Sequence, residues 1–288
     1  MQDRMKEYRD VLLFLFMSLF WAINYPLVKV AVVYQNEFYV IFFRIFFALI
    51  FSLILFPSSI KIGKSLKLHL KLFTISMLNI VGFMEFWFIG EMTESASISS
   101  IIIYSYPVII VILSMFFLKE KIKALNLSGI FFGLLGIVLI FWEQIEIHSI
   151  SGLIFLFLSA LSWSFGTIIY KKYLNDLEPL KVNTMQFVYS LPVTFIIAIL
   201  SGPFFPSRFN IYFLGITLYM GILGTTIAYF IYLYLYRKYS VSSISAFLFL
   251  VPTFTVIISI LFLNESLSFL SMIGLAFIMF GIYLSQRK

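Results

Sequence analysis

The stretch YPVIIVILSMFFLKEKI at residues 106–122 has a partner, VPTFTVIISILFLNESL, at residues 251–267. The two stretches lie 145 residues apart, and Pro107 of the first aligns with Pro252 of the second. Each is a continuous apolar run that ends in a short polar turn. Because the same pattern occurs twice, the chain contains an internal repeat, and this repeat decides the fold.

A second matched pair lies near the start of each copy. LFMSLFWAINYPLVKV at residues 15–30 corresponds to FLSALSWSFGTIIYKK at residues 157–172, and Trp21 aligns with Trp163 at a spacing of 142 residues. Loops easily absorb the difference of three residues between the two spacings. The two predicted domains, which are copies of one unit, occupy residues 9–142 and 150–286.

Composition places the chain in lipid. Hydrophobic residues make up 62% and charged residues 11%, and the mean hydropathy is +1.05. A soluble domain is roughly 45–50% apolar and about 25% charged. In hydrocarbon, backbone polar groups must pair internally, so spanning segments are helices or a closed barrel. Barrel strands alternate apolar and polar residues, whereas the runs here are continuous. The predicted fold class is an all-α integral membrane protein.

Apolar runs long enough to cross a bilayer occur ten times. A hydrocarbon core of about 30 Å needs about 20 apolar residues per helix. The connections are short, which leaves no room for a soluble domain. The predicted transmembrane helices, called spans 1 to 10, cover residues 11–33, 38–56, 72–90, 97–118, 125–142, 151–171, 181–200, 211–236, 241–263 and 269–285.

Positive charges give the orientation. Of the 20 Lys and Arg residues, 17 lie at the termini or in connections that follow even-numbered spans. Arg208 lies in an odd-numbered connection, and Lys29 and Arg44 lie within apolar runs. Cytoplasmic loops carry an excess of Lys and Arg, so both termini are predicted to be cytoplasmic. The net charge of +7 arises from turns that contact anionic headgroups and does not indicate a nucleic-acid partner.

The odd number of spans in each copy reverses the orientation of the second copy. Spans 1–5 and 6–10 are therefore predicted to form inverted repeats about an axis in the membrane plane. Such repeats are typical of secondary transporters, which bind substrate near the midplane between the repeats. Two similar halves can pack in two nearly equivalent ways, which exchanges the open side. Gene duplication without transport, as in some channels, is the alternative.

The motifs also resemble a known family. Trp21 and Lys29 form W-x7-K in span 1, and Arg44 follows in FFRIFFAL of span 2. Residues 221–254 read GILGTTIAYFIYLYLYRKYSVSSISAFLFLVPTF, and both repeats contain Pro-x12-Glu. In this order, on a duplicated unit, the motifs resemble the EamA family of the drug/metabolite transporter superfamily.

The resemblance spans nearly the whole chain and implies a ten-helix carrier. It implies a central cavity lined mainly by spans 1, 3, 4, 6, 8 and 9, with spans 5 and 10 as peripheral scaffold. Family members that resemble this chain commonly export amino acids or other small metabolites. Because the family is broad, the resemblance does not identify the substrate.

Three ionisable side chains lie within the predicted spans, and such residues are functional candidates by default. Lys29, Arg44 and Glu85 all fall in the outer third of the membrane, where Glu85 is expected to reach Arg44 or Lys29 for an ion pair. Glu85 is also a candidate for carrying a coupled proton. The structural alternatives are that Lys29 extends to the headgroups and that Arg44 binds helix carbonyls or an ion-pair partner.

Aromatic and small polar residues form the candidate substrate site, because aromatic walls with a few polar anchors suit a small amphiphilic ligand. The chain has 36 Phe and 17 Tyr, so any single ring is more often a packing residue. Polar neighbours and the repeat favour particular positions. The candidate substrate-binding residues are Trp21, Asn24, Arg44, Tyr104, Trp163, Ser164, Thr167, Tyr229 and Tyr232.

Two prolines and two glutamates recur in both repeats. Pro107 and Pro252 are predicted to lie mid-helix, where proline removes a backbone hydrogen bond, and they are either hinges or static kinks. Glu120 and Glu265 lie in the turns before spans 5 and 10. A carboxylate there satisfies free N–H groups and favours the helix dipole, so both are expected to be structural caps.

The sequence favours secondary transport of a small metabolite by alternating access, either proton-coupled or facilitative, with amino acids as the leading substrate class. Carriers of nucleotide sugars or sugar phosphates are an alternative, although polyanions need several buried cations. A carrier of drug-like compounds is another alternative, although cationic drugs need a carboxylate deep in span 1. A channel is the third alternative.

No enzymatic activity, cofactor or metal is expected. The chain has no Cys, its two His residues lie in separate connections, and the phosphate-binding pattern G-x4-G-K-[ST] does not occur. The expected partners are a small-molecule substrate and the lipid bilayer of the cell (plasma) membrane, and no nucleic acid. We expect a monomer, with a dimer as the alternative.

Overall fold

The structure, a computed structural model, describes residues 8–94, 96–142, 148–263 and 268–285, and the regular secondary structure of these residues is helical. The α-helices are α1 (Tyr8–Tyr34), α2 (Glu37–Leu55), α3 (Leu66–Ser76), α4 (Phe83–Glu91), α5 (Ala96–Ile103), α6 (Tyr106–Phe117), α7 (Ala124–Ile140), α8 (Ile150–Ile169), α9 (Pro179–Ser201), α10 (Ile211–Gly221), α11 (Ala228–Lys238), α12 (Val241–Ser245), α13 (Leu250–Leu263) and α14 (Phe269–Ser285).

Seven helical stretches of this part of the chain are long and apolar enough to cross a membrane. They are Tyr8–Tyr34, Glu37–Leu55, Leu66–Glu91, Ile150–Leu174, Pro179–Ser201, Ile211–Lys238 and Val241–Ile258. Three shorter apolar helices cover Ile101–Phe117, Ala124–Ile140 and Phe269–Ser285. The prediction of an all-helical membrane protein is confirmed.

Polar side chains determine where several helices begin. The Oδ1 atom of Asn36 accepts a hydrogen bond from the Phe38 N–H at 2.8 Å, and Asn210 caps α10 in the same way. The hydroxyl of Ser149 accepts from the Gly152 N–H at 3.2 Å at the start of α8. Each cap satisfies an N–H group that the helix itself leaves free.

Two helical stretches change to π-helix at equivalent places. α3 continues through the π-helical segment Met77–Gly82 into α4, and α10 continues through Ile222–Ile227 into α11. The two segments begin 145 residues apart, which is the spacing of the repeat. A π-helical turn disturbs the usual ladder of backbone hydrogen bonds and is frequent at functional sites. Apolar periodicity does not predict such a change.

Predicted spans 4 and 9 are irregular near their prolines. α5 ends at Ile103 and α6 begins at Tyr106, so Pro107 lies in the first turn of a helix. Its predicted mid-helix position is wrong, because the chain breaks before the proline, where the missing N–H costs nothing. Pro252 follows the 3-10 segment Ala246–Phe249 within a continuous helical stretch.

α7 and α14 meet at glycines. A Cβ atom on Gly136 would lie 2.6 Å from the carbonyl oxygen of Gly274, and one on Gly129 would overlap the carbonyl oxygen of Gly281. Gly129 aligns with Gly274, and Gly136 with Gly281, in the repeat. Small residues let helix backbones approach closely in membranes, so this pair of helices packs backbone against backbone.

Candidate functional site

A cavity with about 420 Å³ of empty space, open solvent included, lies between α1, α2, α4, α5, α6, α8 and α11. Its wall combines one cation and one amide with aromatic and apolar side chains. Six of the predicted substrate-binding residues line it. The other four are additions to that set, because nothing in a sequence so rich in aromatic and apolar residues distinguishes them from packing residues; they are Phe83, Trp87, Ile103 and Tyr106. The lining residues are Trp21, Asn24, Arg44, Phe83, Trp87, Ile103, Tyr104, Tyr106, Trp163 and Tyr229.

The repeat counterparts Trp21 and Trp163 meet at the centre of this wall. Their ring centroids are 5.9 Å apart with an interplanar angle of 81°. Tyr229 completes the cluster, with its centroid 5.1 Å from Trp163 and 6.0 Å from Trp21. These edge-on contacts are the favoured geometry for aromatic rings. They give the cavity a wall of ring faces and edges.

Arg44 is the cation of the cavity wall, and only 3% of the residue is exposed. Its Nε donates to the hydroxyl of Thr225 at 2.6 Å, and an Nη donates to the carbonyl oxygen of Gly224 at 3.3 Å. The indole N–H of Trp21 donates to the same carbonyl at 3.1 Å. Both acceptors lie in the π-helical segment Ile222–Ile227, so the backbone irregularity holds the cation in place.

Asn24 takes part in a contact that occurs twice. A Cβ atom on Gly224 would come within 2.5 Å of the Asn24 Oδ1 atom, and one on Gly166 would overlap the amide of Asn79. Gly166 is the repeat counterpart of Asn24, and Gly224 that of Asn79. The Oδ1 of Asn24 accepts no hydrogen bond from the described residues, so a ligand N–H or O–H would find an acceptor there.

Three predicted site residues, Ser164, Thr167 and Tyr232, lie behind the wall instead of lining the cavity. The Tyr232 hydroxyl lies 3.0 Å from the Trp163 indole nitrogen, which donates to it, and 2.8 Å from the Thr167 hydroxyl. Ser164 donates to the Ala160 carbonyl at 2.6 Å. Ser164 also lies 3.4 Å from the carbonyl oxygen of Tyr106, to which it donates. Thr167 and Tyr232 orient the Trp163 ring, and Ser164 bonds to the backbone of its own helix and of α6.

Glu85 is buried in α4, with 5% of the residue exposed. Neither carboxylate oxygen accepts a hydrogen bond from the described residues. The expected contact with Arg44 is therefore not made through a hydrogen bond, because Arg44 turns toward Thr225. The side chain of Lys29 lies outside the part of the chain that the structure describes.

A second pocket, with about 660 Å³ of empty space that includes open solvent, lies toward the predicted outer side. Val28 lies one helical turn beyond Asn24, and Phe88 follows Trp87 in the chain, so the pocket begins where the central cavity ends. The second pocket therefore lies beside the central cavity on this side. The pocket is lined by Val28, Val32, Glu37, Phe88, Glu91, Met92 and Glu94.

Glu120 caps a different helix from the one expected. Its Oε1 accepts a hydrogen bond from the Val241 N–H at 3.2 Å. Val241 is the first residue of α12, which belongs to the other repeat. The sequence places Glu120 before α7, but the chain folds so that the carboxylate faces the second half. Glu265 lies outside the described residues.

Lys171 has a role that the sequence analysis does not predict. The count of positive charges predicts a cytoplasmic connection for this lysine, but it lies in the π-helical segment Tyr170–Leu174 and is 8% exposed. Its Nζ donates to the carbonyl oxygens of Tyr236 and Tyr239, the latter at 2.7 Å. The available signal is its alignment with Lys29, an intramembrane lysine in the other repeat.

Long apolar helices around a central aromatic cavity define a multi-pass membrane protein with a candidate solute-binding site. The chain belongs to the EamA-like transporter family, whose model matches residues 9–142 and 150–286. It is therefore a membrane transporter of the drug/metabolite type, located in the cell membrane.

Two relatives cover almost the whole chain. An uncharacterized transporter of Archaeoglobus fulgidus is 24% identical over 277 residues, which is 93% of this chain and 95% of the relative. The uncharacterized transporter YvbV of Bacillus subtilis is 24% identical over 286 residues, or 97% and 92% of the two chains. One solved crystal structure superposes with a TM-score of 0.83 over 97% of this chain and 96% of its own, at 14% identity, and shows the same fold.

Proposed function

We propose that this protein is a secondary transporter that moves a small metabolite by alternating access, with amino acids as the leading substrate class. In this proposal ten transmembrane helices form two inverted five-helix repeats, with both termini cytoplasmic. The distribution of Lys and Arg supports the orientation, and the sequence repeat supports the inversion.

The proposal rests on the position of the central cavity, which lies where equivalent residues of the two repeats touch each other. Trp21 and Trp163 touch each other there, and Asn24 repeats the contact that Asn79 makes. A site between inverted repeats is where secondary transporters bind their substrates. The matched contacts support two halves that pack alike and exchange roles during transport.

The chemistry of the wall suits a small molecule with one acidic group. Arg44 is placed to bind a carboxylate, and the Oδ1 of Asn24 to accept from an amine or hydroxyl. Faces of Trp and Tyr rings attract an ammonium group and pack on apolar groups. A neutral amino acid offers all three features. Sugar phosphates and nucleotide sugars fit less well, because the described lining has one cation.

The proposal is tested by flux in proteoliposomes that contain the purified protein. Labelled neutral amino acids are added with and without an imposed pH gradient, and empty liposomes provide the background. Saturable uptake supports an amino-acid carrier. Absence of flux, from protein shown to be folded by size-exclusion chromatography and circular dichroism, rejects this substrate class. Step-like currents in a planar bilayer would indicate a channel instead.

Coupling to protons would act through Glu85. A carboxylate inside a transmembrane helix is typical of proton relays, and burying its charge without a hydrogen-bond donor is costly. Glu85 meets both conditions within the described part of the chain. A facilitative carrier would give the same flux with and without the pH gradient.

A further inference from the structure

Residues 236–241 comprise the end of α11, the turn that follows it and the first residue of α12, and are called the turn below; they are held by side chains from three other elements. We propose that Lys171, Asp10 and Glu120 form a latch that closes the cavity on the predicted cytoplasmic side, and that release of this latch is the step that opens the cavity to the cytoplasm. The proposal rests on the transport function and adds the residues that control its sidedness.

Lys171 binds the carboxyl end of α11. Its ammonium group donates to the carbonyl oxygens of Tyr236 and Tyr239, which are among the carbonyls that a helix end leaves unpaired. A positive charge there also favours the helix dipole. Because Lys171 is buried, its contacts join the end of α8 firmly to the end of α11.

Asp10 binds the same turn from α1. Its side chain is fully buried, and Lys238 Nζ lies 2.7 Å from the Oδ2 atom. The Tyr239 hydroxyl donates to Oδ2 at 2.7 Å, and the Tyr234 hydroxyl donates to Oδ1 at 3.3 Å. A buried carboxylate with this many donors is a strong attachment. α1 belongs to the first repeat and α11 to the second, so Asp10 joins the two halves.

Glu120 completes the set from the connection between α6 and α7. Its hydrogen bond to the Val241 N–H fixes the first residue of α12, so the turn is held on both of its helices. Asn126 of α7 supports this contact, since its amide donates to the Ser242 hydroxyl at 3.2 Å. The turn is thus held by α1 and the α6–α7 connection from one repeat and by α8 from the other.

The position of the latch relative to the cavity gives its role. Trp163 and Thr167 of α8 and Lys171 of the π-helical segment that continues α8 follow one another at four-residue intervals, so they lie along one side of this helical stretch. Trp163 lines the cavity, Thr167 contacts the buried Tyr232, and Lys171 binds the turn. The second pocket, which Val28 lines, lies beside the cavity at the other end. Because Lys171, Tyr236 and Tyr239 are buried, the proposal takes the latch end of the cavity as closed and the end beside the second pocket as the end that opens.

The test uses the absence of cysteine from the natural chain, which makes any introduced thiol the sole target of a thiol reagent. Val28→Cys reports access from outside, and Thr167→Cys reports access from the cytoplasm. Each is combined with Lys171→Met, and a membrane-impermeant anionic methanethiosulfonate is applied to right-side-out or inside-out vesicles. Since a hydrogen bond from a charged donor is a strong one, we expect Lys171→Met to speed cytoplasmic labelling at position 167 about tenfold and to slow outside labelling at position 28.

Lys172→Met is the matched control, because Lys172 is the neighbouring lysine but is exposed. Lys171→Arg keeps a cationic donor and should restore much of the original labelling pattern. Unchanged labelling in folded Lys171→Met protein overturns the latch. If that variant does not fold, Asp10→Asn and Glu120→Gln are judged by the same criterion, and two unchanged patterns overturn it.

Labelling needs no substrate, so the latch and the transport proposal can fail separately. A shift in labelling without amino-acid flux supports the latch and rejects the substrate class. Amino-acid flux with unchanged labelling rejects the latch and leaves the carrier standing.

Discussion

Arg44 joins the cavity to the π-helical segment of the α10–α11 stretch, and in the proposed function its charge selects for an anionic group. We expect Arg44→Gln to raise the KM of a transported amino acid roughly tenfold to a hundredfold, because a hydrogen bond to a charged group is lost. The fold should persist, since glutamine is the residue at the equivalent position of the other repeat, Gln186. The measurement is the concentration dependence of flux in proteoliposomes.

Arg208→Gln is the control for this variant. Arg208 lies in the 3-10 segment Pro206–Arg208 and contacts the ring of Phe205, away from the cavity. Its KM should match that of the unmodified protein. An unchanged KM for Arg44→Gln would show that the cation serves the helix backbone and not the substrate.

Glu85 is the residue through which the proposed proton coupling would act. Glu85→Gln keeps the size of the side chain and removes its ability to exchange a proton, so uptake driven by a pH gradient should be lost while exchange of substrate across the membrane continues. Both are measured as labelled flux. Glu178→Gln removes an exposed carboxylate and should change neither. If flux driven by a pH gradient survives in the Glu85→Gln variant, Glu85 does not couple transport to protons.

At the scale of elements, the contact of α7 with α14 requires glycine. A Cβ atom on Gly136 would lie 2.6 Å from the Gly274 carbonyl oxygen, whereas one on Gly215 in α10 would meet nothing within 4 Å. We expect Gly136→Ala to lower stability by about 1–3 kcal/mol, as overpacking does. Gly215→Ala should be neutral or slightly stabilising, because alanine favours helix. Thermal unfolding in detergent by circular dichroism compares the two, and equal melting temperatures would contradict the packing argument.

The elements also show what the sequence predicts and what it leaves open. Continuous apolar runs predict the helices because lipid requires every backbone group to be paired. The π-helical segments Met77–Gly82 and Ile222–Ile227, and the break before Tyr106, follow from tertiary contacts that hydropathy does not record. The substrate residues predicted from aromatic and polar neighbours are placed partly on the cavity wall and partly behind it, as with Thr167.

Lys171 illustrates the same limit. A lysine at the end of an apolar run is typical of a cytoplasmic turn, and its burial depends on the carbonyls of α11, which lie 65 and 68 residues further along the chain. The sequence shows that Lys171 aligns with Lys29, but the role of this position follows only from the contacts that Lys171 makes in the structure.

At the scale of the whole molecule, the repeat predicts opposite effects for matched lysines. Lys29 occupies in the first repeat the position that Lys171 occupies in the second. If the two halves exchange roles, Lys29→Met should speed labelling of Val28→Cys from outside, whereas Lys171→Met should slow it. The measurement is the rate of labelling in right-side-out vesicles. A change of the same sign in both variants would contradict exchange between inverted halves.

The aromatic wall has an optical consequence. The chain has four tryptophans, of which Trp21, Trp87 and Trp163 line the cavity, while Trp142 is 57% exposed. Most of the indole chromophores of the protein therefore surround one small volume. A bound solute displaces water from these rings and alters their emission, so unlabelled protein reports its own occupancy. A collection of compounds can be screened by fluorescence before any radiolabelled substrate is made.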